Sequence, residues 1–348
     1  MRVCSRCVLP ETFPGIRFDA EGVCNFCRSQ RKDTHAAKKR ALVKQRFAEL
    51  AAEIRATGHA DYQCLLAYSG GKDSTYTLWL LRECYDLRVL AVTFDNGFMS
   101  PKAFENIRRM SETLNADSIV VKPRLDLLRR LFAGVLETNP FPPKALERAS
   151  CCCNACVCLI KNVVMRIALE QRVPLVAYGW TPGQAPISAA LFRMNPAMLK
   201  QMHRTRTRPL TALAGKALDP YVLKESHFEE TRAFPYNVNP MAFHDYTEEE
   251  VLEQVADLGW QAPEDTDGNS SNCLLNSFAN RAHLAAYKFH PYAWEVSGLV
   301  RAGVLPREKG LGSLAHLGTE AAAQETAARL GVEVPPEMGL VGQRLTWE

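Results

Sequence analysis

The chain has 348 residues, 47% hydrophobic and 23% charged, with a net charge of only +4. That length supports one large domain or two ordinary ones around a sizeable core, and the composition excludes disordered and fibrous classes. The balance of charge permits an anionic ligand such as a nucleotide, or tRNA, but lacks the dense basic field of a dedicated nucleic-acid binder.

The opening "MRVCSRCVLPETFPG" has no apolar signal core, and no run of about 18 apolar residues is visible, so a cytoplasmic protein without a membrane segment is expected. In a reducing compartment its twelve cysteines read as metal ligands or catalytic thiols rather than disulfides. Cys64 and Cys84 stand apart inside apolar segments and read as core residues.

At the N-terminus, "CSRC" and "CNFC" form the pairs Cys4-x2-Cys7 and Cys24-x2-Cys27. Four thiolates arriving in pairs can close a tetrahedron around one Zn²⁺, and the turn formers between them suit a ribbon. Residues 1–30 therefore read as a zinc ribbon whose closed shell serves folding or docking rather than catalysis. Residues 31–60 carry charge and alanine at helical spacing and read as a linker helix.

From residue 61 the pattern alternates. "CLLAYS", "RVLAVTFD", "SIVVKP" and "VPLVAYG" read as strands; "DSTYTLWLLREC", "PKAFENIRRMSETLN", "RLDLLRRLFAGVLE" and "ACVCLIKNVVMRIALEQR" read as helices between them. Such alternation predicts an α/β fold over 61–180, a parallel sheet covered by helices on both faces, with ligands at the carboxyl ends of the strands. The rhythm breaks after 180: residues 181–310 read as a substrate-side subdomain, mostly helical toward its end, and 311–348 as a helical tail.

The turn after the first strand, "YSGGKDST", carries the clearest chemistry. Gly70 and Gly71 let the backbone approach an anion while helix-start N–H groups point at it. Lys72 adds a positive charge, Ser69 and Ser74 add hydroxyls, and Asp73 offers a carboxylate for Mg²⁺ on bound phosphates. The adjacent glycines, and the aspartate after the lysine, exclude a Walker A loop.

"SGGKDS", placed after the first apolar strand and followed by "AVTFDNG", resembles the pyrophosphate loop of the PP-loop ATP pyrophosphatases, a superfamily with a HUP-like fold that adenylates substrates. The resemblance implies ATP held by Ser69, Gly70, Gly71, Lys72, Asp73 and Ser74, with Thr93, Phe94 and Asp95 bordering the nucleotide. Many tRNA-thiolating relatives carry a G-H-x-x-D-D segment after the fourth strand. This chain has "YGWTPGQAP" there instead and lacks those carboxylates.

Adenylation turns a poor leaving group into a good one and leaves the incoming atom open. Some tRNA 2-thiolation enzymes of this superfamily hold a [4Fe-4S] cluster with three cysteines, and that likeness implies Cys153, Cys156 and the distant Cys273 as ligands, with one iron open. Cys151 or Cys152 could replace Cys153 by a small loop shift, and a second zinc, or a redox or persulfide-carrying thiol pair, stays open as an alternative use of Cys151, Cys152, Cys153, Cys156 and Cys158.

The N-terminal cysteines and loop also resemble N-acetyl sugar amidotransferases, which implies nitrogen, with ammonia from a partner glutaminase. "HRTRTRP" offers His203, Arg204, Arg206 and Arg208 as a solvated loop or as a grip on a substrate phosphate or carboxylate. Asp265 and Asp267 read as turn residues or as neighbours of the metal, and His227, His244, His283 and His290 as structural. The expected protein is an ATP-dependent sulfurtransferase with lysine and aspartate at the phosphates, a sulfur donor as partner and a small molecule or tRNA as acceptor; a homodimer is allowed. An amidotransferase is the rival, and a nucleotide-sensing module the non-enzymatic alternative.

Overall fold

The computed structural model describes residues 1–30, 35–58, 61–228 and 234–333. Parts of the expected linker and the end of the expected tail lie outside the described residues. In chain order, α1 (Asn25–Ser29) and α2 (Ala36–Thr57) precede β1 (Cys64–Ala67), α3 (Lys72–Trp79), β2 (Val89–Phe94), α4 (Pro101–Thr113), β3 (Asp117–Val121) and α5 (Leu125–Thr138). Then come α6 (Pro143–Leu146), α7 (Cys151–Glu170), β4 (Leu175–Tyr178), β5 (Leu191–Arg193), α8 (Pro196–Met202), α9 (Arg208–Ala214) and β6 (Tyr236–Val238). The C-terminal region is helical: α10 (Glu248–Asp257), α11 (Leu275–Tyr287), α12 (Ala293–Arg301), α13 (Arg307–Ala315) and α14 (Glu320–Leu330).

The strands form one sheet in the order β3-β2-β1-β4-β6-β5, with only β5 antiparallel. Period-2 alternation in β1 sends Leu65 to one face, where it packs with Leu90 and Val176, and Cys64 and Leu66 to the other, with Val89 and Ala91. Helices cover both faces, as expected of a parallel sheet. β5 and β6 come from beyond residue 180, so the segment read as substrate-side also completes the sheet. Prolines flank β6 on both sides, at Pro235 and Pro240.

Three expectations are corrected. The fourth helix begins at Cys151 rather than Ala155, because Ser150 caps it by accepting the Cys153 N–H at 3.1 Å. Cys84 is exposed, not core, whereas Cys64 is buried. One helix, α7, is long and apolar enough to cross a membrane by length and composition, but more than half of that stretch is buried inside the protein, where it packs against β1, β4 and α5.

Candidate active site and metal centres

The four N-terminal cysteines are fully buried, and their sulfurs all lie within 4.8 Å of one another. The Cys4–Cys27 and Cys7–Cys24 sulfur separations are 3.9 and 3.8 Å; a tetrahedron with Zn–S bonds of about 2.3 Å has edges of about 3.8 Å. At Cys4, burial alone would push the thiol up, but amide donors from Cys7 and Cys24 bring it down to about 7. Burial pushes Cys7 up to about 11, so a cation is needed to hold the four as thiolates together. The group could hold one metal ion. It packs on Phe289, between α11 and α12, and on Val296, Leu311 and Leu314 of α12 and α13. Arg307 fastens the contact by donating to the carbonyls of Cys4 (3.1 Å) and Cys7 (3.0 Å).

"SGGKDS" turns at the carboxyl end of β1, where the chain order of the sheet reverses between β1 and β4. Gly70 has φ +73°, and a Cβ there would meet the Ala103 carbonyl oxygen at 2.4 Å, so both conformation and space demand glycine. Trp260 fixes the turn by donating its indole N–H to the Gly70 carbonyl at 2.8 Å. The Ser69 and Ser74 hydroxyls lie 3.1 Å apart. Lys72 Nζ sits 3.0 Å from both carboxylate oxygens of Asp73 and 3.3 Å from Glu248. Burial would pull that lysine down, but the charges of Asp73, Tyr246 and Glu248 outweigh it and hold the ammonium above its ordinary value.

At the end of β2 the expected nucleotide neighbours have their side chains engaged elsewhere. Thr93 donates to the Tyr68 carbonyl at 2.8 Å, Phe94 lies in the core, and Asp95 pairs with Lys122 at 3.0 Å while accepting the Gly97 N–H. What this edge offers a nucleotide is backbone.

Cys153, Cys156 and Cys273 converge beside that edge. Asn96 donates to the sulfurs of Cys156 (3.6 Å) and Cys273 (3.4 Å), and Cys153 donates to Asn276 (3.4 Å). Within the cysteine run, Cys152 and Cys158 are buried in the core, and Cys153 and Cys156, three residues apart, share the face turned to Cys273. Exchanging Cys152 for Cys153 would need the helix to rotate. Among the described residues these three sulfurs do not form a group within 4.8 Å, as the N-terminal four do. Burial, then each other's charge, pushes Cys153 up to about 12 and Cys156 further, so thiolates here also call for a cationic occupant.

Cys273 reaches this position because Met99 and Cys273 form a β-bridge, with Leu274 N–H donating to the Phe98 carbonyl at 2.8 Å. On the same segment Ser271 Oγ accepts the Lys72 N–H at 3.2 Å. Two residues of chain span at most about 7 Å, so the phosphate loop and the thiol trio are neighbours. Asp265 accepts from Ser100 at 2.7 Å, and Asp267, buried, accepts from Asn269 and Asn280. Both brace this segment.

Sequence reasoning missed Asn96, Ser271, Trp260, Tyr246 and Glu295, which meet the site only through long-range contacts. Glu295 on α12 is the most informative. Thr181, within "YGWTPGQAP", donates to its Oε1 at 2.8 Å. Burial, with the Asp73 charge adding, pushes its carboxyl up to about 7. The segment that lacks carboxylates in sequence is thus served by one from elsewhere.

No family model matches the chain. It is 26% identical over 307 residues to an uncharacterized protein of Methanocaldococcus jannaschii, covering 88% of this chain and 90% of that one. Over 129 residues, 35% of this chain and 30% of the other, it is 30% identical to argininosuccinate synthase of Symbiobacterium thermophilum. Among solved structures it is similar to the U34-tRNA thiolase NcsA from Methanococcus maripaludis with its [4Fe-4S] cluster, at 16% identity and TM-score 0.36 over 96% of this chain and 90% of that one. It is also similar to NMN synthetase from Francisella tularensis, at 12% identity and TM-score 0.35 over 87% and 99%. Scores of this size leave the assignment to this chain's own features. Those features are a mostly parallel sheet in the order β3-β2-β1-β4-β6-β5, with SGGKDS turning at the carboxyl end of β1.

Proposed function

We propose that the protein is an ATP-dependent, substrate-adenylating sulfurtransferase with a [4Fe-4S] cluster on Cys153, Cys156 and Cys273. The observation that carries this reading is the convergence of three cysteines, two from one helix face and one from 120 residues on, beside the phosphate loop. Their sulfurs are spaced more widely than the N-terminal four, which favours a body larger than a single tetrahedral ion. When bound, such a cluster supplies an iron without a protein ligand, able to carry sulfide.

The loop amides of Gly70 and Gly71 and the Lys72 ammonium would hold the phosphates of ATP, with Ser69 and Ser74 donating hydroxyls. Asp73 and Glu295 would hold Mg²⁺: the Asp73 charge adds to burial in raising the proton affinity of Glu295, and two such neighbouring carboxylates form a natural seat for a divalent cation. The acceptor's oxygen attacks the α-phosphorus as pyrophosphate leaves, and AMP departs when sulfur enters. The protein's part is to fix that geometry and to offset phosphate charge. The N-terminal site would hold Zn²⁺ and fasten the ribbon to α12 and α13.

Anaerobically purified protein is expected to be brown, with roughly four irons and four sulfides beside one zinc per chain. A colourless protein carrying zinc alone would sink this reading in favour of nitrogen transfer by an amidotransferase.

A further inference from the structure

Beyond the thiols, α7 presents a second face. Cys158, Lys161, Asn162 and Met165 line a cavity of about 80 Å³, closed by Tyr178, Phe192, His203 and Arg206 from the ends of β4 and β5 and from the "HRTRTRP" turn. Lys161 has its ammonium 5.7 and 5.5 Å from the ring centroids of Tyr178 and Trp180, which stack on each other. Among the described residues neither Lys161 nor Arg206 pairs with a carboxylate, and the buried His203 Nδ1 has no hydrogen-bond partner. Lys161 is half-buried and Arg206 stands on the exposed turn, so two cations and an unsatisfied imidazole border one space with no carboxylate beside them, a lining suited to an anion. Burial and the Arg206 charge bring Lys161 down to about 8, which reports the same imbalance.

We propose that this cavity seats the oxyanion head, carboxylate or phosphate, of a small acceptor molecule, held by Lys161 and Arg206 with its first carbons against Phe192 and Met165. The inference rests on the functional reading above for the word acceptor, and on the cavity alone for the word oxyanion. The volume fits a head group and a few carbons, which leaves the rest of the acceptor outside. Position suits that role. Lys161 lies five residues beyond Cys156 on α7, about 7.5 Å along the axis, and Trp180 precedes Thr181, the residue that holds Glu295. Tyr178, which lines the cavity, is paired with Ala67 at the end of β1, so a molecule anchored here lies at the end of the sheet that carries the glycine loop.

Two probes test it on the full-length protein: phenyl phosphate and phenylacetate. Trace labelling with acetic anhydride, read at Lys161 by peptide mass spectrometry, is expected to fall several-fold when the fitting probe is present; protection by only one identifies phosphate or carboxylate. Lys161→Met and Arg206→Met should each weaken calorimetric binding of that probe about tenfold or more, with ATP binding within about twofold of the unaltered protein. No protection by either probe at about 10 mM, or unchanged probe affinity in both variants, overturns the proposal. Neither readout needs turnover. A protein without iron that still binds a probe loses the sulfur reading and keeps the cavity, and one with iron that binds neither loses the cavity alone.

Discussion

Replacing Gly70 by alanine isolates the phosphate loop from every other feature of the site. The residue sits at φ +73°, and a Cβ there would lie 2.4 Å from the Ala103 carbonyl oxygen and 2.8 Å from Ile107 Cγ1. A left-handed backbone costs an ordinary residue about 1–2 kcal/mol, and overpacking against α4, whose backbone cannot swing aside like a side-chain tip, adds about 1–3 kcal/mol. The combined effect of about 2–5 kcal/mol must appear as lost stability, or as lost ATP affinity if the loop shifts to relieve it. Two kcal/mol corresponds to about a 30-fold rise in Kd, or to a fall of about 3 °C in Tm for a chain of this size. Isothermal titration with ATP and Mg²⁺, beside scanning calorimetry, reads both. Gly71→Ala is the internal control: its φ is an ordinary −79°, and its added Cβ meets the Ser271 hydroxyl at 2.8 Å, with Ser69 Oγ and Asn272 Oδ1 in ordinary contact at 3.4 and 3.5 Å. It should cost about 1 kcal/mol and be relieved by Ser271→Gly. If Gly70→Ala matched the unaltered protein in both Kd and Tm, the reasoning about this loop would be wrong.

Cys153→Ala and Cys152→Ala, one residue apart, should separate sharply under anaerobic iron analysis: the first loses the iron with ATP binding intact, the second keeps it at some cost in stability. Equal iron in the two would refute the assignment of helix faces. Arg307→Ala removes the guanidinium from the Cys4 and Cys7 carbonyls, worth about 1.5–3 kcal/mol for a charged donor. Zinc transfer to a chromogenic chelator should then speed up at least tenfold; an unchanged rate would show that the clamp is idle. His283 and His290 are buried, and burial lowers them from the ordinary 6.5 to about 4 and about 3. The unfolded chain therefore takes up their protons first. Their share of stability is present above pH 6.5 and is lost as pH falls toward 4, by up to about 1.4 kcal/mol per pH unit for each histidine. Denaturant midpoints at pH 7 and 5 check this, and His283→Gln should flatten the slope.

Features carried by local pattern were readable from the sequence. The paired cysteines of the ribbon, the glycine turn after β1 and the alternation of strands and helices each sit within one short stretch, and the structure puts them where their spacing implied. Ser150 was a readable cap, yet cysteine's weak helix propensity and the thiol crowding made residues 151–154 resemble a loop. Asn96, Ser271 and Glu295 had no such signal. Each is an unremarkable residue in its own neighbourhood and acquires its place from contacts with residues more than 60 positions away in at least one case, such as Thr181 with Glu295. Lys161 was hidden for a different reason. It stands alone among apolar residues of α7, and only the folded chain sets Arg206 rather than a carboxylate near it.

The segment that carries Ser271 and Cys273 makes the two centres partners in a thermodynamic sense. Its one end receives the Lys72 amide and its other end is bridged to Met99 beside the thiols, so little slack separates them. By linkage, whatever ATP does to the affinity of the thiols for their occupant, that occupant must do to the affinity for ATP, by the same factor. Measuring nucleotide affinity with and without iron therefore measures, without following any reaction, how strongly the proposed cluster site and the proposed nucleotide site are coupled.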